Sequence, residues 1–373
     1  MRKELVAQVR RVVVKVGSGV IFGNNGVDQA IIKGISDDIC RLVEDGYEVL
    51  LVTSGAVATG KGDLGIVGRP PTITLKQAAA AIGQSRLMRY YKDAFRTHDR
   101  SIAQILLTRD DLANRRRFLN ARNTLMTLLE YGVTPIINEN DTVAVDEIRF
   151  GDNDNLSALV TNLAEADLLI ILSDVDGLFD SNPKKYSGAR LIPLVEQITA
   201  EIEAMAGGVD SDVGTGGMYS KIEAAKRATL YGVGTVIVNG RLPGVVPRVL
   251  AGEELGTWFR SVPDRLRARK HWIAFTKRTR GALFVDDGAR KALLENGKSL
   301  LPSGVKRLEG PFERGDAVRI CDLEGRELAK GVINYSQQEL ALIMGHKSVE
   351  IEPILGYKYG DEVVHRDNLV LTQ

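Results

Sequence analysis

Short apolar runs recur through roughly the first two-thirds of the chain, each followed by a stretch with helical spacing. The runs are Arg11–Gly17, Tyr47–Thr53, Ile102–Thr108, Val133–Asn138, Leu168–Leu172 and Gly234–Asn239. Runs this rich in β-branched residues, without polar alternation, fit strands buried on both faces, as in a parallel sheet. Between them, Asp28 is placed to cap a helix in which Ile31, Ile35, Ile39, Leu42 and Val43 share one face until Gly46 stops it. Further helices are expected over Thr74–His98, Phe118–Tyr131, Leu156–Ala166 and Glu196–Ala206, and, after a loop at Gly207–Gly217, through Thr229. This alternation predicts an α/β fold: a three-layer α/β/α sandwich with a mostly parallel central sheet.

The pattern changes near Arg260. Arg265, Arg267, Arg269, Lys270, Lys277, Arg278 and Arg280 crowd together after Pro263. Beyond them, Gly281–Val285, Ala317–Cys321, Glu327–Asn334 and Glu362–His365 read as short strands, with a glycine hairpin turn at Leu323–Arg326. The expected division is a domain over 1–262, a basic linker over 263–277 and a small β-rich domain over 278–373. The basic segment reads either as a solvated linker or as a surface for RNA phosphates.

With 44% hydrophobic and 26% charged residues, the chain has the composition of a soluble globular protein. A net charge of +1 argues against a chain-wide nucleic-acid footprint. Cys40 and Cys321 form neither a disulfide framework nor a zinc-ligand spacing, which fits a reducing, cytoplasmic setting. Charge interrupts the start of the chain before any signal-peptide core, and the run Asp167–Ser173 is too short to span a bilayer, so no membrane association is expected.

The residues that suggest chemistry collect where strands end. Lys15 interrupts a β-branched run just before Gly17-Ser18-Gly19, where backbone N–H groups can face phosphate oxygens. Asn138–Ser157 is dense in carboxylates and carboxamides, and reads either as a solvated turn or as a polar pocket at a strand's carboxyl end. It fails the calcium-loop pattern because Leu156 stands where a third oxygen ligand belongs. Gly55–Gly62 nearly spells a P-loop, but Gly62 replaces the hydroxyl that ligates magnesium; the Ser54-Gly55 turn could instead cradle a substrate carboxylate. Gly214–Lys221 is a glycine-rich loop that enters a helix with Lys221 in its first turn, offering donors, a dipole and a cation to one anion. Ser173-Asp174 is a further strand end. No nucleophilic triad forms around His98, His271, His346 and His365, and no metal-ligating residue is assigned. Two lysines on glycine-rich turns with carboxylates between them point to phosphoryl transfer without a P-loop.

Val13–Ser18, Val52–Ala56, Asn138–Asp141, Gly151–Ala158 and Gly214–Lys221, in that order, resemble the glutamate 5-kinases of the amino acid kinase family. Lys76–Ser85 and Phe118–Leu125 fit the same family, and Leu355–Gly360 with Val364–Leu369 resembles the end of its C-terminal PUA domain. The resemblance implies an amino-acid-kinase fold with a PUA-like domain, and ATP- and Mg2+-dependent phosphorylation of the side-chain carboxylate of L-glutamate for proline synthesis. It implies that Lys15 and Lys221 flank the phosphoryl group and that Asp154 holds them in register. Ser54, Asn138, Asp141 and Asn153 would hold glutamate, with Asp141 at the α-ammonium. Ser173, Asp174, Thr215, Gly216, Gly217, Met218, Tyr219, Ser220 and the two lysines would contact ATP. Proline inhibition and a homodimer or homotetramer belong to the same expectation. The competing readings are an RNA-binding PUA protein and a kinase of the same fold acting on another amino acid or a nucleotide.

Overall fold

The computed structural model describes residues 2–23, 26–68, 70–144, 153–183, 186–206, 217–261 and 279–372. They fall into two compact units. The first takes the described residues up to 113 and from 118 to 261, and the second takes 114–117 and 279–372. The expected linker, residues 263–277, lies outside the described residues.

The first unit has strands β1 (Arg11–Val16), β2 (Phe22–Gly23), β3 (Gly26–Val27), β4 (Glu48–Thr53), β5 (Ile102–Leu107), β6 (Thr134–Glu139), β7 (Leu168–Ser173), β8 (Leu194–Val195), β9 (Gly234–Asn239) and β10 (Thr257–Phe259). Its helices are α1 (Arg2–Val6), α2 (Ser18–Ile21), α3 (Gln29–Glu44), α4 (Ala56–Gly60), α5 (Ile73–Arg96), α6 (Arg109–Ala113), α7 (Arg115–Glu130, in this unit from Phe118 onward), α8 (Asn153–Leu163), α9 (Ala200–Met205), α10 (Met218–Leu230) and α11 (Val245–Leu250). Asp28 caps α3 as expected, accepting from the backbone N–H of Ala30 and Ile31.

The main sheet runs β5-β6-β4-β1-β7-β9-β10-β8 and is parallel except where β10 meets β9. β1 is central, with β4 on one side and β7 on the other. The chain first builds outward through β4 and later through β7, so the carboxyl end of β1 lies at the switch point where open sheets offer a crevice. Strand alternation sorts the core. Val12, Val14 and Val16 pack on the face that carries α3, α5 and α11. Val13 packs with Leu50, Val52 and the apolar residues of α8 and α10 on the other. Lys15, two residues from Val13, therefore points to the face of α8 and α10.

Some boundaries differ from the sequence expectation. α8 starts at Asn153 rather than Leu156, because its first turn is held by polar contacts that an apolar period cannot reveal. The helix expected from Glu196 starts only at Ala200, where Thr199 caps it by accepting from Ile202 N–H. The strand–helix pattern also missed β10, the antiparallel strand near the sheet edge.

The second unit holds a five-stranded sheet: β11 (Thr279–Val285), β12 (Val305–Glu309), β13 (Ala317–Cys321), β14 (Glu327–Val332) and β15 (Leu369–Leu371). Their order is β12-β11-β13-β14-β15, with β11 and β13 parallel and the other pairs antiparallel. The turn before β14 matches the expected hairpin, with Gly325 at φ +92°. Glu362–His365 is not a strand: Val364 makes one isolated bridge to Leu300, and the last strand is β15. Val363 and Val364 enter the core in sequence, a crossing that mimics a strand's apolar run. Among the described residues, no helix is long and apolar enough to cross a membrane.

Candidate active site

The carboxyl ends of β1, β4, β6 and β7 bring the predicted residues together in two groups. The first group is charged. Lys15, from β1, places Nζ 2.5 Å from Asp154 Oδ1, and Lys221, from the first turn of α10, places Nζ 3.4 Å from Asp154 Oδ2. All three are buried, with Asp154 wholly inaccessible. Ser220 also donates to Asp154 Oδ2 at 2.7 Å, and Lys221 Nζ reaches the carbonyl of Gly217 at 3.4 Å. One carboxylate thus faces two ammonium groups, which places two cations at the strand ends where an anion would be held. The N-terminus of α10 adds to this, since Gly217 gives its first turn no side-chain cap. Gly17 stays close to the cluster: a Cβ there would lie 3.7 Å from Lys15 Nζ and 3.2 Å from the carbonyl of Leu172.

The second group is neutral. Asn153 Nδ2 donates to the carbonyl of Thr53 at 2.8 Å, to Ser54 Oγ at 3.0 Å and to Asn138 Oδ1 at 2.8 Å. Asn138 Nδ2 donates in turn to Gln84 Oε1 at 2.7 Å. Gln84 comes from the middle of α5, which lies against α4. A Cβ on Gly83 would stand 1.9 Å from the carbonyl of Ala56, so only glycine permits this approach. Gly55, at φ +112°, makes the turn from β4 into α4; a Cβ there would meet the Phe22 ring at 2.8 Å. The near-P-loop glycines thus serve a tight turn and a helix contact, while Lys61 donates to the carbonyl of Gly68.

Asp141 lies on the loop after β6, with Oδ1 4.0 Å from Lys76 Nζ. That loop is tied to its neighbours by Asn140 N–H donating to Leu107 and Gln77 donating to the carbonyl of Ala144. Ser173 ends β7, where its hydroxyl donates to Asp174 Oδ1 at 3.3 Å. The Asp174 carboxyl lies close enough to α2 that a Cβ on Gly19 would come within 3.2 Å of it. Gly217, Met218, Tyr219 and Ser220 form the start of α10. Thr215 and Gly216 lie outside the described residues, as does Asp152.

Sequence reading assigned no role to Gln84 or Tyr91. Both lie on α5, seven residues apart and so on one face. Tyr91 OH is 2.9 Å from the hydroxyl of Thr53, the residue whose carbonyl receives Asn153. Burial pushes its phenol up to about 12, with the Thr53 hydrogen bond pulling the other way. The available signal was a lone amide beside a glycine in a run of alanines. Among the described residues no group of three or more His, Cys, Asp or Glu side chains is arranged to hold a metal.

Residues 10–239 match the model of the amino acid kinase family, and residues 281–355 match that of the PUA domain. The chain is 71% identical to the glutamate 5-kinase of Syntrophotalea carbinolica over 371 residues, covering 100% of each chain. It is 57% identical to the glutamate 5-kinase of Geobacter sulfurreducens over 372 residues, again covering 100% of each. Among solved structures, a carbamate kinase from Giardia lamblia bound to AMP-PNP is 17% identical, with a TM-score of 0.50 over 69% of this chain and 100% of that one. That likeness speaks for the fold alone. The chain belongs to the amino acid kinase family, in its glutamate 5-kinase group with a PUA domain.

Proposed function

We propose that the chain transfers the γ-phosphoryl group of ATP to the side-chain carboxylate of L-glutamate, giving L-glutamyl 5-phosphate for proline synthesis. The observation that carries this reading is the buried Lys15–Asp154–Lys221 cluster at the sheet's switch point, beside a neutral amide pocket. Identities of 71% and 57% to two glutamate 5-kinases over the full length support the choice of substrate. The catalytic domain is assigned to residues 1–262 and the PUA-like domain to 278–373, joined through 263–277.

The roles follow from charge. A glutamate side chain is already ionised at neutral pH, its ordinary pKa being about 4.3, so no general base is needed. One of its oxygens attacks the γ-phosphorus while the bond from phosphorus to the ADP oxygen breaks. Negative charge gathers on the equatorial oxygens and on the departing ADP. Lys15 and Lys221 face that charge, and Asp154 keeps them at fixed separation, so little reorganisation is needed at the moment of transfer. Ser54, Asn138, Asp141 and Asn153 hold glutamate, with Asp141 suited to its α-ammonium. Ser173, Asp174, Thr215, Gly216, Gly217, Met218, Tyr219 and Ser220 hold the nucleotide. Mg2+ is read as arriving with the nucleotide, whose phosphates bring oxygens of their own, since the Asp154 carboxylate is already engaged by lysines. Proline shares glutamate's α-carboxylate and carries a cationic α-nitrogen, so it is read as a competitor in the same pocket. A cytoplasmic homo-oligomer completes the proposal.

Hydroxylamine traps an acyl phosphate as a hydroxamate, which gives a direct assay. Full-length chain with ATP and Mg2+ should form hydroxamate with L-glutamate, and much less with aspartate or N-acetylglutamate. Chelating Mg2+ should stop the reaction, and proline should raise the apparent KM for glutamate. Equal rates with N-acetylglutamate would overturn the substrate assignment.

A further inference from the structure

The amide chain has a direction, and two backbone groups set it. Glu139 N–H can only donate, and it donates to Asn138 Oδ1 at 2.9 Å. The Thr53 carbonyl can only accept, and it receives Asn153 Nδ2 at 2.8 Å. With Asn138 Oδ1 fixed, its Nδ2 must face Gln84, and the Gln84 atom that receives it must be oxygen. Both ends of the chain are then open: Asn153 Oδ1 and Gln84 Nε2 are buried without a hydrogen-bond partner among the described residues. Gln84 itself is only 9% exposed.

An open buried donor lowers stability, and an apolar side chain of the same length would close the one at Gln84 only by opening another at Asn138 Nδ2. A glutamine kept here purely for packing is therefore poorly explained. Its carbonyl has a task in the site: the Glu139 N–H sets which way the Asn138 carboxamide faces, and Gln84 Oε1 holds the opposite end of that amide in place. A turned Asn138 would present Nδ2 to the Nδ2 of Asn153, and the Asn153 amide would lose one of its fixed acceptors. We infer that Gln84 is a positioning residue for the amino acid substrate: by anchoring Asn138 it holds the amide chain in place, so that Asn153 Oδ1 stays available as an acceptor for the substrate's α-ammonium in addition to Asp141. This rests on the glutamate kinase reading above and extends it to a residue outside the strand-end motifs.

The test uses full-length protein and Gln84→Met, which keeps length and removes both polar atoms. The KM for glutamate should rise about tenfold, the worth of one oriented hydrogen bond. The KM for ATP and kcat at saturating glutamate should stay within about twofold, because uniform substrate binding has been lost and not transition-state charge. The melting temperature should fall by a few degrees, since Asn138 Nδ2 loses its acceptor and replaces Gln84 Nε2 as the open buried donor. If the chain acts as one unit, Gln84→Met combined with Asn153→Ala should raise KM no further than Asn153→Ala alone. An unmoved KM, multiplicative effects in the double variant, or a fall in kcat and melting temperature with KM unchanged each overturn the role. Should Gln84→Met not fold, Gln84→Glu keeps an oxygen for Asn138 Nδ2. A glutamate KM near the parent's then supports the role, and a rise of about tenfold without change in the ATP KM overturns it. A parent chain that forms no hydroxamate with glutamate removes both readings; an active parent with an unmoved KM in Gln84→Met removes only this one.

Discussion

The lysine cluster and the amide cluster occupy neighbouring strand ends of one sheet, yet they solve the burial of polar groups in opposite ways. Lys15, Asp154 and Lys221 are charged, and each faces an opposite charge. Gln84, Asn138 and Asn153 are neutral, and their chain ends in one open donor and one open acceptor. Burying an unpaired charge is far more costly than leaving a neutral amide half-satisfied, so the charged group must be nearly closed before substrate arrives. The neutral group can remain open and be completed by the ligand. The contrast separates two tasks: fixed charge where phosphoryl transfer generates charge, and directional neutral groups where an amino acid must be recognised.

The most severe way to break this contrast is Asp154→Ala. It takes away the carboxylate that both lysines face, and breaking a buried ion pair in this way costs about 3 to 5 kcal/mol. Thermal melts should show that loss, and turnover should drop to background even at a temperature where the variant is folded. An unchanged melt would mean that Asp154 is not what permits the two lysines to be buried. Next in size is Lys221→Ala. Loss of one group stabilising transition-state charge typically lowers kcat by about a hundredfold to a thousandfold. The KM for glutamate should stay within a few-fold, a split read from steady-state kinetics. A raised KM with kcat intact would put Lys221 with the recognition group and erase the distinction drawn above.

How far the sequence reveals these clusters depends on how each is encoded. The lysines stand out because a charge inside a β-branched strand, or at the start of a glycine-led helix, breaks a local pattern. The parallel sheet was legible for the same reason, since β7 is buried at every position and reads as an uninterrupted apolar run. Asp154 was singled out in the sequence, but only the fold shows its two oxygens divided between two lysines. Gln84 and Tyr91 were silent. Their roles arise from α5 lying against α4 at Gly83 and Gly60, a tertiary contact between segments that no local period reports. The end of the second unit misled for a related reason: Val363 and Val364 are apolar because they cross a core, while the strand that closes the sheet is three residues long.

Tyr91→Phe gives the smallest effect and bears on how the amide cluster is held. The ring is wholly buried and would be unchanged, so the substitution deletes only the contact with Thr53 Oγ1. A single hydrogen bond of this kind contributes about 1 kcal/mol, so the melting temperature should fall by a few degrees. The sign of the pH dependence follows from the phenol, which burial pushes up to about 12 against the pull of Thr53. A group whose folded pKa is raised contributes its stability fully below the unfolded value, about 10 for tyrosine, and loses it as pH rises through the folded value. The gap between parent and Tyr91→Phe should therefore be constant near neutrality and narrow as pH climbs from about 10. Because Tyr91 supports the Thr53 segment and does not anchor Asn138, the KM for glutamate should change far less than in Gln84→Met. If Tyr91→Phe raised that KM as much, the pocket would depend on general support from α5, and the directional amide chain would lose its special place in the comparison.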